Sequence, residues 1–399
     1  MHARARPQQP TGTPGAAREG DGPAAHGWRD RLHAWRDRLF ADPGFQRWAS
    51  GFFLTRPIAR RRASQLFDLC AGFIHSQVLL ACVRLRLLER LEAGPCTPAQ
   101  LAAALDLPPD SLARLLEACT ALRLTARRGG GRIGLGSVGA ALLGNAAVRS
   151  MIEHHAGLYD DLRDPVALLR GGGPGQMAGL WPYARAADAA ALPREAVDRY
   201  SALMAATQPL VAEDLLDAWP FARHRILLDV GGGNGAFLLA VARRAPALRL
   251  QLFDLPAVAA LAAGRFAAEG MAGRASVHGG DFTRDPLPRG ADLLTFVRVL
   301  HDHDDAAVRT MLRAARAALV PGGRLLVAEP MAAVPGSLPA TEAYFAMYLL
   351  AMGQGRARTP AELAALLREA GFEQPRLLAT PRPWQCAVIS ARAGSVNLT

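Results

Sequence analysis

The stretch from Ile226 to Phe237, ILLDVGGGNGAF, does most to constrain what this chain can fold into. Ile226, Leu227 and Leu228 lack polar alternation, which predicts a strand buried on both faces, and Ala236 to Ala245 reads as a helix. Between them stand four glycines within five residues, Gly231, Gly232, Gly233 and Gly235. Strand, tight turn and helix open a βαβ unit, and a turn without side chains lets a ligand touch backbone. The spacing Gly231-x-Gly233-x-Gly235 departs from G-x-G-x-x-G, whose third glycine falls one residue later, and so argues against a nicotinamide dinucleotide. Leu250 to Phe253 reads as a second strand, ending in Asp254 where an acidic residue bonds ribose hydroxyls. Gly280-Asp281-Phe282 follows the β-prone stretch Ala275 to His278 and offers a carboxylate for an adenine amino group beside an aromatic ring. A nucleoside-containing ligand fits all three signals; the competing reading is that Asp254 and Asp281 merely cap helices.

This order of signals resembles class I S-adenosylmethionine-dependent methyltransferases. DVGGGNG with FDLP and GDF is similar to the caffeate and acetylserotonin O-methyltransferase family, over roughly Gln77 to the last strand. The resemblance implies S-adenosyl-L-methionine as cofactor, bound by Gly231, Gly233, Gly235, Asp254, Asp281 and Phe282, with Arg298 at a further cofactor-contacting position. Further strands are expected at Ala291 to Phe296, Gly323 to Ala328, Arg376 to Ala379 and Gln385 to Ser390, alternating with helices. The fold class is α/β: a Rossmann-like methyltransferase sheet preceded by a mainly helical, winged-helix-like dimerisation domain. The expected divisions are a disordered tail and amphipathic arm over 1–55, the helical domain over 56–215, the catalytic domain over 216–393, and a short tail over 394–399.

Chemistry is expected after the fourth strand of the sheet, in Arg298-Val-Leu-His301-Asp302-His303-Asp304-Asp305, because open α/β sheets bind ligands beyond the carboxyl ends of their strands. The segment resembles the family motif in which a histidine followed by Asp-Trp is the general base; His301 and Asp302 match, and His303 replaces the tryptophan. Glu329, after the apolar run Leu325 to Ala328, matches the family's acidic residue, which would hold one ring nitrogen and leave the other free to accept a proton. A second family glutamate is replaced by Ala357 in Gly355-Arg-Ala-Arg-Thr359, leaving one carboxylate for the task. An imidazole near 6.5 faces an alcohol near 16, a gap worth roughly 12 kcal/mol, so an aliphatic acceptor must lose its proton as the methyl arrives. The cluster of His301, Asp302, His303, Asp304 and Asp305 could instead hold a metal, but acids at a helix start usually serve as caps, and no metal is expected.

All 46 basic residues are arginine, and the net charge is +11, which suits anionic surfaces of nucleic acid or lipid. Thr97 to Leu122 reads as two helices capped by Thr97 and Asp110, and Leu124 to Leu135 as a β-wing. In this winged outline the candidate recognition helix carries Arg114 as its one basic residue, among Leu112, Leu115, Leu116 and Leu122, so no nucleic acid partner is expected. Met1 to Gly27 is rich in Pro, Gly and Ala, predicts disorder, and lacks a signal-peptide core. The five cysteines are scattered, without C-x-x-C spacing, as in a reducing cytoplasm. No 18 apolar residues run together, so no membrane span is expected.

The pentapeptide WRDRL occurs at Trp28 and again at Trp35, followed by Arg56 and Arg60 to Arg62. On a helix ended by Gly44, Trp28, Leu32, Trp35 and Leu39 share a stripe that either packs on protein or lies in a lipid interface. Met204, Met347 and Met352, with Tyr344, Phe345 and Leu349, fall in segments that line the acceptor pocket of relatives. His154 and His155 lie outside every motif and read as structural. Phe45 to Leu91 resembles bacterial carotenoid O-methyltransferases of the demethylspheroidene or hydroxyneurosporene type. That resemblance implies methylation of the tertiary 1-hydroxyl of an acyclic hydroxycarotenoid by a cytoplasmic homodimer, with peripheral contact through residues 28–62 at the photosynthetic membrane.

Overall fold

The computed structural model describes residues 27–172, 175–180, 194–271 and 273–394. The expected disorder of the first 26 residues and the tail beyond 394 lie outside them. The chain divides into two compact units, Met1–Ser76 and Gln77–Thr399.

Among the described residues of the second unit there are nine strands. β1 (Thr125–Arg127) and β2 (Ile133–Leu135) make a small antiparallel wing. The other seven are β3 (Ile226–Val230), β4 (Arg249–Asp254), β5 (Ala275–Gly279), β6 (Ala291–Val297), β7 (Leu319–Glu329), β8 (Phe372–Leu378) and β9 (Ala387–Ala393). They form one sheet in the order β5-β4-β3-β6-β7-β9-β8, parallel except where β9 runs antiparallel to β7 and β8. Chain order reverses between β3 and β6, so their carboxyl ends open a crevice, the place where such sheets bind ligands. Both faces are covered at the centre of the sheet, which explains why β3, β6 and β7 carry apolar runs. Leu227 packs with Phe237, Leu238 and Leu252 on one face, while Leu228 and Val230 pack with Phe296, Val308 and Met311 on the other.

Ahead of the sheet, the helices Pro98–Leu105 and Pro109–Ala121 bury Leu101, Leu112, Leu116 and Cys119 in a core shared with Leu87, Leu88 and Ile133. Thr97 caps the first in a full capping box with Gln100. Asp110 does not cap the second, which Pro108 precedes; Pro109 takes the first helical position and places Asp110 within the first turn. The apolar face of Pro109–Ala121 is buried in this core.

In the first unit the repeat forms the helix Trp28–Ala41, with Trp28, Leu32 and Trp35 exposed. Gly44 does not end it: Asp42 does, by capping the next helix, Pro43–Gly51, through the amide of Phe45 at 2.6 Å. The third helix, Arg56–Arg84, is by length and composition apolar enough to cross a bilayer, although no 18 apolar residues run together in it. Asp68 and His75 interrupt its apolar run without removing its apolar character. Its Leu80, Cys82 and Val83 are buried in the helical core, whereas Leu66, Phe67, Leu69 and Phe73 are exposed.

Candidate active site

Four strand ends and the glycine turn supply the side chains. Gly231, Gly233 and Gly235 have φ of +72°, +59° and +79°, a region that favours glycine. A Cβ on Gly231 would come within 2.7 Å of Val299, and one on Gly232 within 2.7 Å of Asp229, whereas beside Gly233 there is open space. Asp254 folds back onto the turn, its Oδ2 accepting from the Gly233 amide at 2.8 Å and its Oδ1 from the Leu255 amide at 2.7 Å. Burial lifts its pKa to about 6 despite these bonds. Asp229, at the end of β3, accepts from the Thr295 hydroxyl at 2.6 Å, and burial lifts it further, to about 7. Its Oδ2 has no hydrogen-bond partner among the described residues. Asp281 accepts from the amide and hydroxyl of Thr283, and Phe282 meets His303 edge-on with ring centroids 5.5 Å apart. Burial drops His303 to about 4, so a neutral ring packs where the family motif has tryptophan.

His301 lies in the short 3-10 turn Leu300–Asp302 after β6 and is buried. Its backbone amide donates to Glu329 Oε2 at 3.1 Å, its Nδ1 lies 3.5 Å from the same oxygen, and its Nε2 lies 3.2 Å from Asp302 Oδ1. The single-carboxylate arrangement expected from Ala357 is therefore replaced by two, Glu329 at the end of β7 and Asp302 beside the histidine itself. Burial opposes charge on the imidazole, but Asp302 and Glu329 outweigh it and hold the pKa above the ordinary histidine value. Glu329 Oε1 has no hydrogen-bond partner among the described residues. Ala357 packs instead against a small cluster with Tyr348 and Met352. Asp304 caps the helix Asp305–Ala318 through the Ala307 amide at 2.8 Å, and Asp305 pairs with Arg356 and Arg358. Among the described residues no group of three metal-ligating side chains forms.

Arg298 has φ +59° and directs its guanidinium to Thr207 Oγ1 at 2.7 Å and Met204 Sδ at 3.1 Å. With His301 and Asp302 it lines a cavity of about 290 Å³ whose walls include Met151, Met204, Phe345 and Met352. Met347 is not among the lining residues. Sequence reasoning passed over Trp384 and Met151, which no motif marks, and the part played by His154 and His155. Their Nε2 atoms bond the hydroxyls of Tyr348 and Tyr344 at 2.9 and 2.8 Å, and those tyrosine rings form part of the wall.

Residues 160–373 match the O-methyltransferase domain, and residues 67–145 match the O-methyltransferase dimerisation domain. The chain belongs to the O-methyltransferase family. Demethylspheroidene O-methyltransferase of Cereibacter sphaeroides is 45% identical over 87% of this chain and 91% of its own length. Mouse acetylserotonin O-methyltransferase is 34% identical over 83% of this chain and 89% of its own. Among solved structures, the S-adenosylmethionine-dependent methyltransferase SibL in its apo form superposes with a TM-score of 0.70 at 30% identity, covering 83% of this chain and 99% of that one. This O-methyltransferase is therefore an S-adenosylmethionine-dependent enzyme, and its turn fits that cofactor: side chains are excluded at Gly231 and Gly232, space is open at Gly233, and a buried Asp229 oxygen is unsatisfied beneath.

Proposed function

We propose that the enzyme methylates the tertiary 1-hydroxyl of an acyclic hydroxycarotenoid, with His301 as general base. The observation that carries the acceptor class is the 45% identity to a demethylspheroidene O-methyltransferase over nearly the whole of both chains. A second relative of that name, from Rhodobacter capsulatus, is 42% identical over 86% of this chain. The cavity agrees in kind: about 290 Å³ with mostly apolar walls would take the hydroxyl end of a long polyene rather than its length.

Gly231, Gly233, Gly235, Asp254, Asp281 and Phe282 would hold S-adenosylmethionine, which would supply an electrophilic methyl group. Glu329 lies 3.5 Å from Nδ1 of His301 and Asp302 3.2 Å from Nε2, so the acceptor hydroxyl displaces Asp302 before Nε2 takes its proton as the oxygen gains the methyl from the sulfonium sulfur. Two carboxylates around the ring stabilise the imidazolium that results and make the base stronger, narrowing the proton-transfer gap. Arg298 braces the cavity wall through Met204 and Thr207. The family's dimerisation domain supports a homodimer. Exposed Trp28, Trp35, Trp48 and Phe53, with Arg60 to Arg62 nearby in the chain, support contact of residues 28–62 with a membrane surface from the cytoplasmic side.

The test is incubation of the enzyme with methyl-labelled S-adenosylmethionine and, separately, acyclic 1-hydroxycarotenoids in lipid vesicles or simple soluble phenols. Label is expected in the carotenoid ether. Transfer to phenols alone would replace the carotenoid reading with that of a soluble-phenol methyltransferase.

A further inference from the structure

We infer that Arg358 is the positioning residue that holds the base in register with its carboxylate. Arg358 is fully buried, although arginine seldom is unless its charge is met. All three of its guanidinium nitrogens are engaged, and Nη2 also lies 2.8 Å from Asp305 Oδ1. Nε donates to Asp305 Oδ1 at 2.8 Å, Nη1 to the Leu300 carbonyl at 2.8 Å, and Nη2 to the His303 carbonyl at 2.7 Å. The two carbonyls bracket His301, one residue before it and two after. The Arg356 amide completes the grip by donating to the carbonyl of His301 itself at 2.8 Å. Gly355, at φ +81°, lets the segment lie this close, because a Cβ there would collide with that same carbonyl.

The other end of the residue reaches the acid. The Arg358 carbonyl accepts from the Ala332 amide at 3.0 Å, three residues beyond Glu329 on the segment leaving β7. One residue thus ties the turn that carries His301 to the strand that carries Glu329, with the Nδ1 to Oε2 distance of 3.5 Å lying between those two anchors. A planar fork suits three acceptors in fixed directions, whereas a lysine ammonium, a point charge on a flexible stem, cannot meet all three at once. Displacing a base by about 1 Å costs on the order of a hundredfold in rate, so a loosened turn would act on turnover before it acted on binding.

The inference rests on His301 being the base, and its test separates the two. Full-length Arg358→Lys, Asp305→Asn and His301→Ala would be compared with the native enzyme on any acceptor that the native enzyme methylates. The measurements are kcat, KM for the acceptor, and S-adenosylmethionine affinity by calorimetry. Arg358→Lys is expected to lose at least tenfold in kcat, with both binding constants within twofold of native. Asp305→Asn, which removes the one charge among the three acceptors at a half-exposed site, is expected to repeat the pattern at about threefold. A native kcat in Arg358→Lys, or a kcat loss matched by an equal loss of cofactor affinity, would overturn the inference. If Arg358→Lys fails to fold, Asp305→Asn decides alone by the same two criteria. Turnover surviving in His301→Ala would overturn the base and this inference together; a dead His301→Ala beside a native Arg358→Lys would overturn this inference only.

Discussion

At the scale of single residues, the site is a balance of buried charge. A base works in its neutral form, so kcat rises with pH through the pKa of His301. Because Asp302 and Glu329 hold that pKa above the ordinary value, the acid limb of the kcat profile is expected above about 6.5. Glu329→Gln removes one of the charges that favour imidazolium, so the limb should move to lower pH. The same change weakens the hold on Nδ1, and kcat should fall about tenfold or more. Measurement of kcat against pH for the two proteins checks both signs; a limb that moved upward would contradict the arrangement. The places of His301 and Glu329 at strand ends were legible from the apolar runs before them, and their proposed roles came from the family resemblance. Asp302 as a second carboxylate was not legible, since a neighbour in sequence faces the same ring only when the backbone turns, as it does in the short 3-10 segment Leu300–Asp302.

At the scale of elements, the turn after β3 separates two reasons for glycine. Gly235 has a positive φ and a crowded neighbour, with a Cβ there 2.5 Å from the ring of Phe266, whereas Gly233 has a positive φ and open space. Gly233→Ala should therefore cost the folded protein only the backbone strain, about 1–2 kcal/mol, while weakening S-adenosylmethionine binding at least tenfold. Gly235→Ala should lower both the melting temperature and the affinity. Thermal melting with and without cofactor distinguishes the two, and equal melting temperatures for both variants would refute the assignment. The central strands β3, β6 and β7 were legible from aliphatic runs, which a sheet covered on both faces demands. Boundaries were less so: β7 begins at Leu319, ahead of Pro321 and Gly322, and β8 begins at Phe372, ahead of Pro375, where proline and glycine argued for a later start. Helix ends slipped for a related reason, since Asp42 and Pro108 outrank Gly44 and Asp110 only once the backbone path is known.

At the scale of the whole molecule, the first unit presents aromatic and basic side chains that the catalytic chemistry does not use. Flotation with anionic vesicles should carry the full chain upward and leave behind a form lacking the residues before Phe45, with methylation of a soluble acceptor retained by both. Equal flotation would remove this arm from any role at a lipid surface. Residues from 67 onward belong to the dimerisation domain, and the exposed Phe67, Leu69 and Phe73 fall at its start. The order of the sheet carries one more consequence. β7, which ends in Glu329, is paired on one side by β6 and on the other by β9, the last strand among the described residues, with Glu329 directly opposite Ala387. The carboxylate that holds the base thus waits on residues nearly sixty positions downstream. A chain cut before Ala387 keeps the glycine turn, the histidine and the glutamate but leaves β7 without its antiparallel neighbour, and methyl transfer by such a truncated chain is expected to be lost.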